Sequence, residues 1–155
     1  MAIATFFGSG LSPKAPGTMG TLASMVLWAP MVLWDTPWWA RVAAVVVVFV
    51  VGVVASNAVV AHKGEDPQLI VIDEVAGMGL TLIVASPSWL TLVVGFLCFR
   101  LFDIWKPWPV RWADKQVKGG LGVMLDDILA GVYALLALLL FERFLFSVVA
   151  GFLPR

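Results

Sequence analysis

Five carboxylates stand out by their setting in an otherwise apolar chain: Asp73 with Glu74, Asp103, and Asp126 with Asp127. Asp73 and Glu74 interrupt the apolar run from Leu69 to Ala85. An ionised side chain there costs about 2.5 kcal/mol or more in lipid, so a chain that keeps two has a use for them. The other three lie in FRLFDIWKPWPVRWADKQVKGGLGVMLDD, residues 99 to 127, which holds nine of the chain's Asp, Glu, Lys and Arg residues. Carboxylates in such numbers suit a divalent cation bound through oxygen. Arg100, Lys106 and Arg111 in the same stretch suit phosphate oxygens. Trp105, Trp108 and Trp112 suit a membrane interface, where an amphipathic ring sits half in lipid. Metal-assisted chemistry on a phosphate ester at a lipid surface would use all three kinds of part. One carboxylate could act as base for water or acid for a leaving alcohol, and an aspartyl-phosphate intermediate is also open.

Plainer structural roles exist for the same residues. Asp126 and Asp127 read as the opening of a helix over Ile128–Phe141, where acids complement the helix dipole. Asp73 and Glu74 read as a pair snorkelling at a helix start, but their side chains are too short to do that well. The N-terminal FFGSGLSPKAPGT offers Gly8, Gly10 and Gly17 as conformationally free positions, with Pro13 and Pro16 as helix stops and Thr18 as an N-cap. It reads either as a phosphate cradle assisted by Lys14 or as a turn leading into the membrane. No Gly-Lys-Ser/Thr follows, so it is not a P-loop, and spacing alone favours the turn.

The composition says what must position these groups. Of 155 residues, 61% are hydrophobic and 13% charged, and mean hydropathy is +0.99. A soluble domain carries about 25% charge, so this is an integral membrane protein of one domain, residues 1 to 155. Net charge is zero, which argues against nucleic acid as a partner. Cys98 is alone and His62 is the one histidine, which excludes disulfide frameworks, cysteine metal sites and two-histidine mechanisms. The first thirteen residues lack Lys and Arg, so no cleavable signal peptide is expected.

The expected elements are apolar helices over Met19–Trp34, Trp38–Ala61, Trp89–Phe99 with an extension through Arg100 and Asp103, and Ile128–Phe141, with a further helix begun by Asp73 and Glu74 within the apolar segment Leu69–Ala85. A short helix is expected over Pro109–Lys118, with a polar loop at 62 to 67 and a flexible turn at GGLG, residues 119 to 122. Gly77 and Gly79 should let a neighbouring helix approach closely. Glu142 and Arg143 should mark a solvated helix end. The fold class is all-α: a small polytopic membrane bundle with short helices.

If the segments alternate across the bilayer, one side receives the N-terminus, the 62–68 loop and the 100–127 region. That side holds Lys14, Lys63, Arg100, Lys106, Arg111, Lys115 and Lys118; the other holds Arg41, Arg143 and Arg155. The cation excess assigns the first side to the cytoplasm. All five carboxylates then meet at that face. Only eleven residues separate the acids from Ala85, about 16 Å of helix, which cannot cross a ~30 Å core. The acids therefore lie in a polar cleft below the headgroups, or some segments do not cross.

Three blocks carry a family resemblance: FGSGLSPKAPGTMGTLAS (7 to 24), DPQLIVIDEVAGM (66 to 78) and FRLFDIWKPWPVRWADKQVKGGLGVMLDDILAG (99 to 131). Together they resemble the phosphatidylglycerophosphatase A family over about two fifths of the chain. The resemblance implies a Mg²⁺-dependent phosphatase of the bacterial inner membrane, multi-pass, with its site facing the cytoplasm. It would remove the terminal phosphate of phosphatidylglycerophosphate to leave phosphatidylglycerol. It implies Asp73, Glu74, Asp103, Asp126 and Asp127 as the catalytic pool, with Asp73, Glu74, Asp103 and Asp127 as metal ligands. It also raises the phosphate role of the N-terminal loop, so that Lys14 and Thr18 join Arg100, Lys106 and Arg111 as phosphate ligands. The signatures of the haloacid-dehalogenase phosphatases, histidine lipid phosphatases and CDP-alcohol phosphotransferases are absent. A non-enzymatic membrane protein that binds or moves Mg²⁺ is the main rival; a structural subunit and a phosphatase for another phosphomonoester are the others.

Overall fold

The computed structural model describes residues 1 to 63 and 69 to 152. Those residues form six α-helices and one 3-10 turn, Ser9–Leu11. The helices are α1 (Pro16–Leu33), α2 (Trp38–Lys63), α3 (Ile72–Thr81), α4 (Trp89–Trp105), α5 (Val110–Gln116) and α6 (Gly119–Phe152). Three stretches are long and apolar enough to cross a membrane: Pro16–Leu33, Trp38–His62 and Gly119–Val149. The protein is an all-α membrane bundle, as its composition requires. The expected polar loop falls, from residue 64 to 67, outside the described residues, as does Arg155; His62 lies in the last turn of α2, its Nδ1 2.8 Å from the Ala58 carbonyl.

The core of the bundle is its shortest inner helix. Eight of the ten residues of α3 are buried, and α3 packs on α6, α2, α1 and α4. At about 15 Å it is too short to span lipid, and it does not need to. Its backbone is sheltered by longer helices, which is where short or broken helices are tolerated at membrane depth. Gly77 makes one of the closest of these contacts. A Cβ there would lie 2.5 Å from the Phe99 ring and 2.6 Å from the Asp127 carbonyl, and one at Gly131 would lie 2.6 Å from the Gly77 carbonyl. Small residues on both helices thus bring α3 and α6 into backbone contact. Gly79 yields its space to the buried Trp28 ring, whose Nε1 donates to the Val75 carbonyl at 2.9 Å.

The far end of α3 is closed by Arg41 from α2. Its buried guanidinium donates to the carbonyls of Leu82 (3.3 Å) and Ala85 (2.8 Å), and it lies 3.5 Å from Asp35. A cation at a helix C-terminus satisfies orphan carbonyls and complements the dipole. At the same pole Glu142 accepts from Ser86 N–H (3.0 Å) and the Thr91 hydroxyl (3.1 Å). Glu142 is therefore a tie between α6 and the start of α4, not the solvated end that was expected.

Three local expectations are corrected. α1 starts at Pro16, not after a Thr18 cap; proline's fixed φ and missing N–H suit the first helical position. GGLG is not a turn but the first turn of α6. Gly120 N–H donates to Asn57 Oδ1 of α2 at 2.6 Å, and a Cβ at Gly120 would meet the α2 backbone. Gly120 serves close packing, while Gly119 takes a left-handed φ of 70° at the start of α6. Asp126 and Asp127 consequently lie two turns inside α6, where a helix-dipole role no longer accounts for them.

Seven of the eight tryptophans are exposed, in two groups. Trp34, Trp38, Trp39 and Trp89 ring the Arg41 pole, and Trp105, Trp108 and Trp112 ring the opposite one. Two aromatic belts separated by apolar helix are the arrangement of a membrane-spanning protein.

Candidate active site

The pole opposite Arg41 gathers the starts of α1, α3 and α6 with the ends of α2, α4 and α5. They enclose a cavity of about 240 Å³ lined by Gly17, Asp73, Glu74, Asp103, Lys106, Asp114, Asp126 and Asp127, among others. The five expected carboxylates do meet.

The lead-in to α3 is pinned by the N-terminal segment: Val71 and Ile72 N–H donate to the Ala4 carbonyl at 2.9 and 3.3 Å. This fixes Asp73 and Glu74 in the first turn of α3, at the positive end of its dipole. Glu74 N–H donates to Asp73 Oδ1 at 3.1 Å. Gly17 of α1 lies against the pair's other side, and a Cβ there would strike Glu74 Oε1. On α4, Arg100 and Asp103 share a face; Arg100 Nη1 donates to Asp103 Oδ2 at 2.5 Å and to Thr21 Oγ1 at 3.4 Å, and lies 4.0 Å from Glu74 Oε1. Lys106 caps α4 in the left-handed conformation, φ 47°. Its Nζ donates to Asp114 at 2.5 Å and to Asp126 at 2.7 Å. Asp127, from α6, faces α3, and one oxygen each of Asp73, Glu74 and Asp127 lie within 4.8 Å of one another.

So many acids in so little water repel. Burial, and then the neighbouring Glu74 carboxylate, push Asp73 well above the usual carboxylate range. Glu74 is raised to about 8 by burial and by Asp127, with Arg100 and the Asp73 hydrogen bond acting against it. For Lys106 burial works toward a lower value, but Asp126 and Asp114 outweigh it and hold the ammonium above its ordinary range. Arg100, Lys106 and Lys118 are three cations against six carboxylates once Asp114 is counted.

The family model described as Phosphatidylglycerophosphatase A matches residues 2–142. The chain belongs to the phosphatidylglycerophosphatase A family. Phosphatidylglycerophosphatase A of Escherichia coli K12 is 43% identical over 132 residues, 84% of this chain and 76% of that one. The Haemophilus influenzae protein of the same name is 36% identical over 137 residues, covering 86% of this chain and 83% of that one. A Bacteroides thetaiotaomicron protein named "Putative phosphatidylinositol-3-phosphatase" is 42% identical over 144 residues, 85% of this chain and 86% of that one. No solved structure matches the chain. Membership in the family makes the chain a phosphatase.

Within the family fold, the expected site residues divide. Asp73, Glu74 and Asp127 form the tight carboxylate group. Asp103 borders it, beside Asp127 and bound to Arg100. Asp126 is tied to Lys106. Arg100 and Lys106 reach these acids, whereas Lys14 and Arg111 are exposed. Lys14, Thr18 and Arg111 are not among the residues lining the acidic cavity, though Gly17 next to Thr18 is. Arg111 instead lines a second cleft on the other side of Lys106.

Two contributors were missed. Asp114 was counted among the charges but not placed in the site; its setting four residues ahead of Lys118 in the most charged part of the chain was the available signal. Thr21, one helical turn from Gly17 and Thr18, bonds Arg100 and was visible only as part of the first motif block.

The triad suits a hard cation. All its donors are carboxylate oxygens. Glu74 Oε2 and Asp127 Oδ2 are buried with no hydrogen-bond partner among the described residues. A buried carboxylate oxygen without a donor is costly, and a divalent cation held between these residues would remove that cost for both.

Proposed function

We propose that the protein is a Mg²⁺-dependent lipid phosphatase that hydrolyses the terminal phosphomonoester of phosphatidylglycerophosphate to phosphatidylglycerol and phosphate. Its setting is the bacterial inner membrane, with the acidic cavity facing the cytoplasm. The observation that carries this reading is the buried Asp73–Glu74–Asp127 group with its unpartnered oxygens, bordered by Arg100 and Lys106 at one end of a membrane bundle. The sidedness rests on the cation excess at that end.

Asp73, Glu74 and Asp127 would hold the cation, with Asp103 at its border. When bound, Mg²⁺ supplies charge neutralisation for the phosphoryl group and a more acidic water. The chain's own residues do the rest. Arg100 and Lys106 are placed to take non-bridging oxygens, exchanging a carboxylate partner for phosphate. Asp126, held by Lys106, and Asp103, held by Arg100, are the carboxylates left to move a proton to or from water and the leaving alcohol. The crowding that raises Glu74 would also make it a strong ligand for a cation.

Phosphate release from phosphatidylglycerophosphate by the purified protein, with Mg²⁺ and then with EDTA, tests the reading. Mg²⁺-dependent release supports it; release insensitive to EDTA overturns the metal assignment. Phosphatidylinositol 3-phosphate belongs in the same assay, because one relative carries that name. The rival, a protein that binds or moves Mg²⁺ without catalysis, fits the structure less well. Its carboxylates would have to line a path, yet at the opposite pole Glu142 and Arg41 are engaged in helix contacts.

A further inference from the structure

Beside the acidic cavity lies a second cleft of about 610 Å³, lined by Trp105, Pro107, Trp108, Arg111, Trp112 and Lys115, with Lys106 forming the wall between the two. We propose that this cleft holds the phosphodiester of the lipid substrate, so that a second phosphate is bound by Arg111 and Lys115 while the terminal one lies in the acidic cavity. The inference rests on the proposed function and extends it to substrate selection.

Three observations carry it. First, α5 divides its charges between two clefts. Asp114 turns to Lys106 and the acidic cavity. Arg111 and Lys115, one helical turn apart, line the second cleft. Second, neither cation has an ion-pair or hydrogen-bond partner through its side chain among the described residues. Every other described cation of this pole except Lys14 is engaged: Arg100 and Lys106 with carboxylates, Lys118 with an interaction of its own. Two adjacent free cations beside the cavity are complementary to a second anion. Third, the cleft lies at headgroup level. Trp105, Trp108 and Trp112 are 65%, 78% and 52% exposed and form the aromatic belt at this end. The turn that carries Trp108 is fixed to the bundle, because Tyr133 Oη donates to the Trp108 carbonyl at 2.7 Å.

The substrate matches this layout. Phosphatidylglycerophosphate carries its diester nearest the acyl chains and its monoester beyond a glycerol unit. A lipid lying along the belt would present the diester first, to Arg111 and Lys115. The monoester would then reach past Lys106 to the carboxylates. The cleft would thereby select for phosphomonoesters borne on a glycerophosphodiester and against phosphatidate, whose monoester sits directly on diacylglycerol and leaves the cleft empty.

The test compares wild type with Arg111→Ala/Lys115→Ala in mixed micelles, on phosphatidylglycerophosphate and on phosphatidate, at saturating Mg²⁺. In the variant KM for phosphatidylglycerophosphate should rise about tenfold, the loss of two solvent-accessible charge-assisted contacts, with kcat within about twofold. Its low activity on phosphatidate should not change, and Arg111→Lys should recover most of the KM. An equal loss on both lipids, or a fall in kcat with KM unchanged, would overturn the proposal in favour of a structural role for α5. So would a wild type that prefers phosphatidate. A wild type inactive on every phosphomonoester lipid would instead overturn the proposed function beneath it, and the two failures are distinguishable on the same plate.

Discussion

The crowded carboxylates should make the metal-free protein lose stability as pH rises, and Mg²⁺ should reverse the trend. Glu74 titrates at about 8 in the folded chain against 4.5 for an unperturbed glutamate. The folded state therefore keeps a proton that the unfolded chain releases. Its contribution is fully present below about pH 4.5, declines as pH climbs, and is gone once pH passes 8. At ~1.4 kcal/mol per pH unit of separation, Glu74 alone sets the scale at on the order of 4 to 5 kcal/mol. Asp73 is raised by the same burial and by Glu74 itself, so it acts in the same direction. Bound Mg²⁺ replaces the protons and favours the ionised cluster, so the gain from Mg²⁺ should grow through the same window.

The assay is thermal unfolding in detergent micelles between pH 5 and 9, with EDTA or with Mg²⁺. Without metal the midpoint should fall steadily from pH 5 to pH 8.5; with Mg²⁺ the fall should shrink or disappear. Glu74→Gln removes the titrating group while keeping its shape. That variant should be flatter with pH in EDTA, more stable than wild type at pH 8.5, and less protected by Mg²⁺. A metal-free wild type as stable at pH 8.5 as at pH 5, with no protection by Mg²⁺, would refute both the electrostatic account and the ligand assignment.

Asp103→Asn should abolish turnover while the protein still inserts and expresses; near-normal phosphate release would remove Asp103 from the site. Arg41→Ala leaves the buried carbonyls of Leu82 and Ala85 without their donor and should destabilise the bundle by about 3 kcal/mol, read as a lowered unfolding midpoint, although Arg41 lies at the pole away from the chemistry. Gly77→Ala would press a methyl between the Phe99 ring and the Asp127 carbonyl; overpacking there should cost about 1–3 kcal/mol and, by pushing α6 from α3, lower kcat and Mg²⁺ affinity together in a metal titration of activity.

The sequence announced its chemistry more clearly than its packing, and the reason is physical. Charges in lipid are expensive, so an apolar chain displays its candidate acids without concealment; Asp73, Glu74, Asp103, Asp126 and Asp127 could be picked out one by one, and all five line one cavity. Their meeting was legible too, since alternation of apolar segments brings their helix ends to one pole. Glycine was harder to read, because its missing Cβ serves turns and close contacts equally. In GGLG the balance tips toward contact only because Asn57 and the α2 backbone stand opposite Gly120, and nothing local in the sequence brings α2 there. That one placement moves the start of α6 and sets Asp126 and Asp127 two turns deep. Arg111 shows the complementary limit. Residue type suggested phosphate, but only the facing of α5 separates a cation that serves the acidic cavity from one that lines the aromatic cleft. For a seven-residue helix the sequence leaves that rotation open until Val110 and Ala113 are buried against the bundle and Asp114 finds Lys106. Once those contacts form, Arg111 and Lys115 are left lining the aromatic cleft.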